Sequence, residues 1–446
     1  MLRRKALEAM KEWKRLKTSQ ALLVTGARQV GKTYLIRQFA RECYRHFVEL
    51  NLIEQPDFRD ALASAPDAAT LFLRITAFAK DDLVPGETLV FIDEAQECPE
   101  IVTALKFLVD RYGKDFDFVI SGSLLGVELK DIRSMPVGYL SEVEMFPLDF
   151  EEFCWAQGVA DAVIAEVRAA FERIRSVDEF VHARLLQTLH VYLVVGGMPD
   201  AVQAYVESND LRRVQRIQND IINLYRRDIS KYAGNRARVV RRVFDLVPAE
   251  LNTQSKRFIA SHIEGTPRFD RYDNDFSWLV DAGVALSTQN VAEPRYPLEL
   301  STNASYFKLF MSDVGLLARA CGMEVVRDLL FSREDVNYGS IYENYVAQEL
   351  VAHGLCSPSP DRHLYYFRSR KMGELDFLAE WPGGRVLPIE VKSGKTYKRH
   401  SALTRVLGVE NYGLDHACVL CERNVEHDGK VTYLPIYMTM FMLRES

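Results

Sequence analysis

The stretch "LLVTGARQVGKTYLIRQF", residues 22–39, decides how the first third of the chain reads. An apolar strand runs into Gly26, and five residues later Gly31-Lys32-Thr33 opens a pattern of helical period. The spacing from Gly26 to Thr33 is that of a phosphate loop, and each position has a chemical reason. The two glycines let the backbone bend until successive N–H groups point at a β-phosphate. Lys32 brings a charge to the β and γ oxygens, and the Thr33 hydroxyl is a magnesium ligand. The helix expected from Lys32 to about Cys43 aims its positive N-terminus at the same anion. Gly26, Ala27, Arg28, Gln29, Val30, Gly31, Lys32, Thr33 and Tyr34 are therefore the expected contacts for ATP with Mg2+, and Lys32 is also counted as catalytic.

A metal held from one side needs a second group across the site. "TLVFIDEAQE", residues 88–97, is a buried parallel strand ending in Asp93-Glu94. Asp93 is expected to contact the magnesium and Glu94 to polarise the attacking water. The bland alternative is an acidic pair capping a helix that starts near Pro99. "FDFVISGSLLG", residues 116–126, is a further strand whose end carries Ser121 and Ser123. Either serine could sense the γ-phosphate from the carboxyl edge of the sheet, and plain turn residues would look the same. Strands alternating with helical stretches predict a doubly wound α/β sheet over residues 1–150.

With 446 residues the chain is long enough for several domains, and 48% hydrophobic with 26% charged residues is ordinary globular composition. No apolar run is long enough to span a bilayer. The start, "MLRRKALEAMKEWKRLK", lacks an apolar signal core and reads as a basic amphipathic helix. Seven scattered cysteines suit a reducing cytoplasm, and Cys418 and Cys421, in a strand-like run, are better read as buried strand residues than as zinc ligands. A net charge of −6 argues against a general polyanion binder. Basic residues are nonetheless concentrated. Seven Lys or Arg face one Asp between Arg226 and Arg242, and ten face four acids between Arg362 and Arg405. Local basic surfaces bind phosphates even in an acidic protein, although a solvated helix face explains the first cluster equally well.

Residues 151–230 show apolar positions recurring at three and four, as in "FVHARLLQTLHVYLVV", and predict a helical lid. Residues 231–300 have short helical units followed by a glycine and a strand pair, the outline of a winged helix. Its recognition helix, near "PRFDRYDNDFSWL", mixes Arg268 and Arg271 with three aspartates that repel phosphate, so a connector role is preferred to DNA reading.

In "GELDFLAEWPGGRVLPIEVKSGKT", residues 373–396, two strands flank a Pro-Gly-Gly turn. Alternation puts Glu390 and Lys392 on one face, with Asp376 on the neighbouring strand. Two carboxylates and a lysine so placed can hold magnesium and orient a water against a phosphodiester. The arrangement resembles PD-(D/E)xK nucleases. That resemblance implies catalytic Asp376, Glu390 and Lys392, with metal bound by Asp376, Glu390 and the helical Glu343 of "YENYVAQEL". Leu375 stands where the motif's proline would be. Solubility alone would account for alternating Glu and Lys, but not for the basic surround "YFRSRK" and "KSGKTYKRH".

Taken together, "GARQVGKT", "LVFIDEAQ", "VISGS" and "MFPLDFEEF", followed in order by "VGGMPDAV", "LYRRDISKY", "FKLFMSDVGLL" and "YENYVAQEL", resemble AAA-like P-loop ATPases of bacteria and archaea that carry a C-terminal domain of unknown function. The resemblance covers nearly the whole chain. It implies the additional-strand type of P-loop sheet with Glu94 as catalytic carboxylate, and it supports the winged helix. Tyr139 stands where a basic residue is expected, so no trans-acting arginine is assigned. "GGMP", residues 196–199, resembles the glycine-x-proline signature of signal-transduction ATPases, but a helix-breaking turn is the plainer reading.

The expected architecture is a P-loop NTPase parallel sheet (1–150), helical lid (151–230), winged-helix connector (231–300) and α/β restriction-endonuclease-like domain (301–446). The expected protein is a cytoplasmic ATPase whose nucleotide state governs a nuclease-like tail. ATP or ADP, DNA and a second copy of the chain are its candidate partners, and a membrane is not. A signalling ATPase with an inactive, partner-binding tail is the rival. A metabolic kinase would leave the C-terminal acids unexplained.

Overall fold

The computed structural model describes residues 2–79, 82–122, 138–253, 255–265, 271–330, 339–357, 362–394 and 396–443. Ser123 and Arg268 lie outside the described residues. The chain forms two compact units, one of Arg4–Phe146 with Asp281–Gly283, the other of Pro147–Val280 with Val284 onward.

In the first unit five parallel strands, β1 (Ala21–Thr25), β2 (His46–Asn51), β3 (Thr88–Asp93), β4 (Asp117–Ser121) and β5 (Leu140–Glu144), lie in the order β2-β3-β4-β1-β5. Thr88 to Asp93 are all buried, as an apolar strand covered on both faces should be. One face packs on a cluster that includes Leu50, Phe58, Ile75, Ile92, Leu105 and Phe118. Because β4 lies between β1 and β3, the ends of all three strands meet where the phosphate loop leaves the sheet. This is the inserted strand that the resemblance implied.

The second unit begins with helices, among them Phe150–Ala156, Asp161–Glu172, Glu179–Val195, Pro199–Ser208, Leu211–Tyr232 and Ala237–Leu251. Helix Leu211–Tyr232 buries Val214, Gln218, Ile221, Ile222, Tyr225 and Ile229, a stripe at three- and four-residue spacing. "GGMP" is a turn between two of these helices. The Gly197 N–H donates to Asp313 Oδ2 at 2.6 Å, and Pro199 opens the next helix. The plainer reading of that motif is the one realised.

An eight-stranded mixed sheet follows, built from β6 (Ala285–Val291), β7 (Thr302–Met311), β8 (Leu364–Ser369), β9 (Gly373–Trp381), β10 (Arg385–Val391), β11 (Ala417–Cys421), β12 (Glu426–Asp428) and β13 (Val431–Pro435). Its order is β12-β13-β11-β10-β9-β8-β6-β7. The strand pair anticipated within 231–300 is the antiparallel pair of β6 with β7. It crosses residue 300 and extends the C-terminal sheet through the pairing of β6 with β8. Acids near the anticipated recognition helix are partly consumed internally: Asp275 is buried and accepts from Arg236 Nε at 3.0 Å.

Helix Gly339–Ala352 packs across β6, β7, β8 and β10 and is buried from Ser340 through Val351. Any charged residue on it must therefore find its partner indoors. Cys418 and Cys421 are buried in β11, where burial pushes both thiols up, Cys421 to about 11, so they behave as inert core residues. Among the described residues no helix is long and apolar enough to cross a membrane.

Candidate functional site

The phosphate loop follows β1, and its glycines are dictated by geometry. Gly26 has φ +127°, and a Cβ there would lie 2.1 Å from the Met145 carbonyl oxygen. Gly31, at φ +90°, turns the chain into helix Lys32–Cys43. The loop is braced from the N-terminus. The buried Arg4 guanidinium donates to the Val30 carbonyl at 3.1 Å and to that of Phe146 at 2.6 Å.

Lys32 folds back into the loop and donates to the carbonyls of Gly26 at 2.7 Å and Ala27 at 2.8 Å. Burial strips its ammonium of water and lowers its pKa to about 8, against the pull of Glu94 and Asp93. Asp93, at the end of β3, is buried and gathers three donors. Thr33 Oγ1 donates at 2.9 Å, the Glu94 N–H at 3.0 Å, and the Ser121 hydroxyl at close range. Glu94 sits in the left-handed region at φ +56°, a conformation that a non-glycine residue adopts only when its surroundings enforce it. The Gln96 amide donates to its carboxylate.

Thr33, Lys32, Asp93 and Glu94 are thus brought together, and Ser121 joins them. Pairing of Ile92 with Ile120 sets Ser121 beside Asp93, where it is fully buried and bonds the carboxylate. The oxygen pair Thr33–Asp93 suits magnesium, which takes one or two protein oxygens and completes its shell with phosphate and water.

The C-terminal constellation is built on β7, β9, β10 and the buried helix. Pairing of Ile389 with Phe377 sets Glu390 and Asp376 side by side on neighbouring strands. Asp376 Oδ2 accepts the Val391 N–H at 2.8 Å, and Lys392 Nζ donates to Glu390 Oε1 at 2.6 Å. Burial, then the nearby Asp376, push Glu390 up to about 8. The same two causes, in the same order, raise Glu343. Glu390 Oε2 and Glu343 Oε2 are buried without a hydrogen-bond donor, so a positive charge or a proton belongs beside them.

Lysines supply that charge. Lys256 donates to Glu343 Oε1, while the fully buried Lys308 lies 3.8 Å from Glu343 Oε2 and 2.7 Å from Glu374 Oε1. Glu343, Glu374 and Asp376 outweigh the burial of Lys308 and raise its pKa. Among the described residues no three His, Cys, Asp or Glu side chains are arranged to hold a metal ion. Of the acids expected to share a metal, Asp376 and Glu390 lie side by side, and Glu343 is paired with two lysines.

Four members of these sites escaped the sequence reading: Lys256, Lys308, Glu374 and Arg4. Lys308 left a signal, a lysine inside the apolar strand "YFKLFM", and Glu374 stood unassigned two residues before Asp376. Arg4 left none, since one basic residue in a basic N-terminal segment says nothing about a carbonyl more than twenty positions away.

The family described as AAA domain matches residues 18–154. Two families described only as domains of unknown function, DUF8612 and DUF4143, match residues 186–326 and 338–438. No curated protein matches the chain. Among solved structures, the Walker-type ATPase of Pyrococcus abyssi is similar at 16% identity over 73% of this chain and 96% of its own, with a TM-score of 0.40. DnaA of Aquifex aeolicus bound to AMPPCP is similar at 11% identity over 60% and 85%, with a TM-score of 0.29. Drosophila ORC bound to DNA is similar at 13% over 74% and 95%, with a TM-score of 0.28. At such TM-scores these likenesses carry no argument. The phosphate loop, the parallel five-stranded sheet and the family match do: the first unit has the features of an ATPase-type AAA domain, a nucleotide-binding P-loop fold.

Proposed function

We propose that the first unit binds ATP with Mg2+ and hydrolyses it. The observation that carries this is the cluster in which Asp93 holds Thr33 and Ser121 while Lys32 and Glu94 flank it. Thr33 and Asp93 would hold the ion, whose charge would neutralise the β- and γ-phosphates. Lys32 exchanges two neutral carbonyls for phosphate oxygens, which compensate its charge far better. Glu94 orients and polarises the attacking water, and Ser121 fixes the angle of Asp93. Steady-state hydrolysis of ATP by the purified chain tests the reading. Glu94→Gln should abolish turnover and leave nucleotide binding intact, and unaltered turnover in both Glu94→Gln and Lys32→Ala would sink it.

For the second unit we propose a nuclease-like, DNA-interacting role under the control of nucleotide state, with Asp376, Glu390 and Lys392 at its centre. Support comes from Asp376 and Glu390 side by side on neighbouring strands and from the orphaned oxygens of Glu390 and the helical Glu343. The rival reading, an inactive module that binds a partner, draws on a specific observation: Lys256 and Lys308 already neutralise Glu343, the acid that a metal would need. Cleavage of labelled DNA with Mg2+ or Mn2+, with and without ATP, separates the two. Metal-dependent cutting that Glu390→Ala abolishes supports the nuclease, and none under any condition supports the binding module.

A further inference from the structure

Beside the C-terminal acids the second unit has an open groove of about 950 Å³ that neither proposed catalytic centre uses. Arg257, Arg368 and Arg370 line it, with Asn290, Tyr306 and Glu374. Its chemistry is that of a polyanion site. Three guanidiniums project into one concavity of a chain whose net charge is −6, so the positive surface is local rather than general. Among the described residues neither Arg257 nor Arg370 has a carboxylate partner, and the Arg257 Nε is buried without a hydrogen bond. The lone acid in this wall, Glu374, is offset by Lys308 at 2.7 Å and Arg368 at 3.3 Å.

The groove also presents an aromatic face. Tyr306 is 47% exposed, and the Arg257 guanidinium sits 5.0 Å from its ring centroid. Alternating guanidiniums with an exposed ring suits a strand whose phosphates and unpaired bases need different partners at short spacing. An apolar ligand or a membrane finds no matching surface here. A duplex keeps its bases stacked on each other and has no use for the ring.

We propose that this groove binds a single nucleic-acid strand, with phosphates on Arg257, Arg368 and Arg370, a base on Tyr306, and the strand running past Glu374 toward Glu390. The assignment rests on the DNA-interacting reading of the second unit and does not require that the strand be cut.

The test is fluorescence anisotropy of a labelled twenty-residue oligo-dT on the full chain, in EDTA, across a salt series. Binding should weaken with salt, and Arg370→Ala and Arg257→Ala should each flatten the log–log slope by about 0.7. Tyr306→Ala should lower affinity roughly tenfold without changing the slope, as loss of one stacked base would. Far-UV circular dichroism and urea midpoints equal to those of the wild type report that the variants are folded. Arginine variants that bind like the wild type would overturn the groove. So would a hairpin duplex or inorganic polyphosphate that binds as tightly as oligo-dT and is indifferent to Tyr306→Ala. Absence of metal-dependent cleavage while these binding losses persist would count against the nuclease reading alone.

Discussion

Two buried lysines, one in each unit, are held in opposite ways. Lys32 rests on two backbone carbonyls at 2.7 and 2.8 Å, neutral dipoles that satisfy its N–H groups without balancing its charge. Its pKa falls to about 8. Lys308 rests among Glu343 and Glu374, and its pKa rises despite complete burial. A hydrogen bond satisfies a donor, but only an opposite charge compensates a buried ion. Lys32 is thus stored in a poor environment that a triphosphate improves, whereas Lys308 is locked into a good one.

The largest effect expected from this contrast is on stability. Lys308→Met leaves Glu374 with Arg368 alone and Glu343 with Lys256 alone, and breaking such a buried pair costs about 3 kcal/mol or more. Urea unfolding of the chain should show that loss, and adding Glu343→Gln should recover part of it. Strict additivity of the two substitutions would mean that the acids and the lysine do not communicate. Lys32→Met should behave differently. It removes a charge that the fold compensates badly, so the urea midpoint should hold or rise, while ATP turnover falls by about 100- to 1000-fold, the range seen when one donor to a developing negative charge is lost.

Acidity sharpens the same contrast at smaller scale. The folded pKa of Lys32 lies below its unfolded value, so between about 8 and 10.5 the unfolded chain holds the extra proton and stability contributed by this site rises with pH. Nucleotide reverses the preference, since bound phosphates favour the ammonium. Above pH 8 binding should take up a proton, and affinity should drop toward tenfold per pH unit. Calorimetry in two buffers of different ionisation heat measures that proton directly, and no uptake at pH 9 would show that Lys32 never faces the phosphate.

How much of this was legible in the sequence follows from the range of the interactions. The phosphate loop and Asp93-Glu94 were readable because contiguous residues and one strand end carry that chemistry. Asp376, Glu390 and Lys392 were readable for the same reason, through alternation on a hairpin. The partners of Glu343 were not. Lys256 and Lys308 come from a loop and β7, and nothing in a linear pattern says that the buried helix will bring Glu343 to them, or that Glu374 of β9 will share Lys308. Ser121 was found by position, but its bond to Asp93 was not readable, because it depends on the register between β3 and β4. The sheet membership of β6 and β7 was not legible either: a strand pair looks the same in sequence whether it ends a small module or extends a larger sheet.

Asp313 provides the smallest test, with the charges reversed. It is fully buried and caps helix Val314–Cys321, accepting the Leu316 N–H at 2.9 Å and the Gly197 N–H at 2.6 Å. Like Lys32 it is held by backbone dipoles rather than by an opposite charge, and burial raises its pKa to about 6 although those N–H groups pull it down. The folded state therefore holds the proton more tightly than the unfolded chain. Stability from this group is fully present below about pH 4 and is lost as pH climbs through 6. Between pH 5 and pH 7 the loss amounts to about 1 kcal/mol. Asp313→Asn should remove that slope from the urea-unfolding profile while keeping the Leu316 cap. If the slope survives in Asp313→Asn, the proton sits on another carboxyl, and backbone dipoles hold this buried charge better than the pairing of Lys32 with carbonyls suggests.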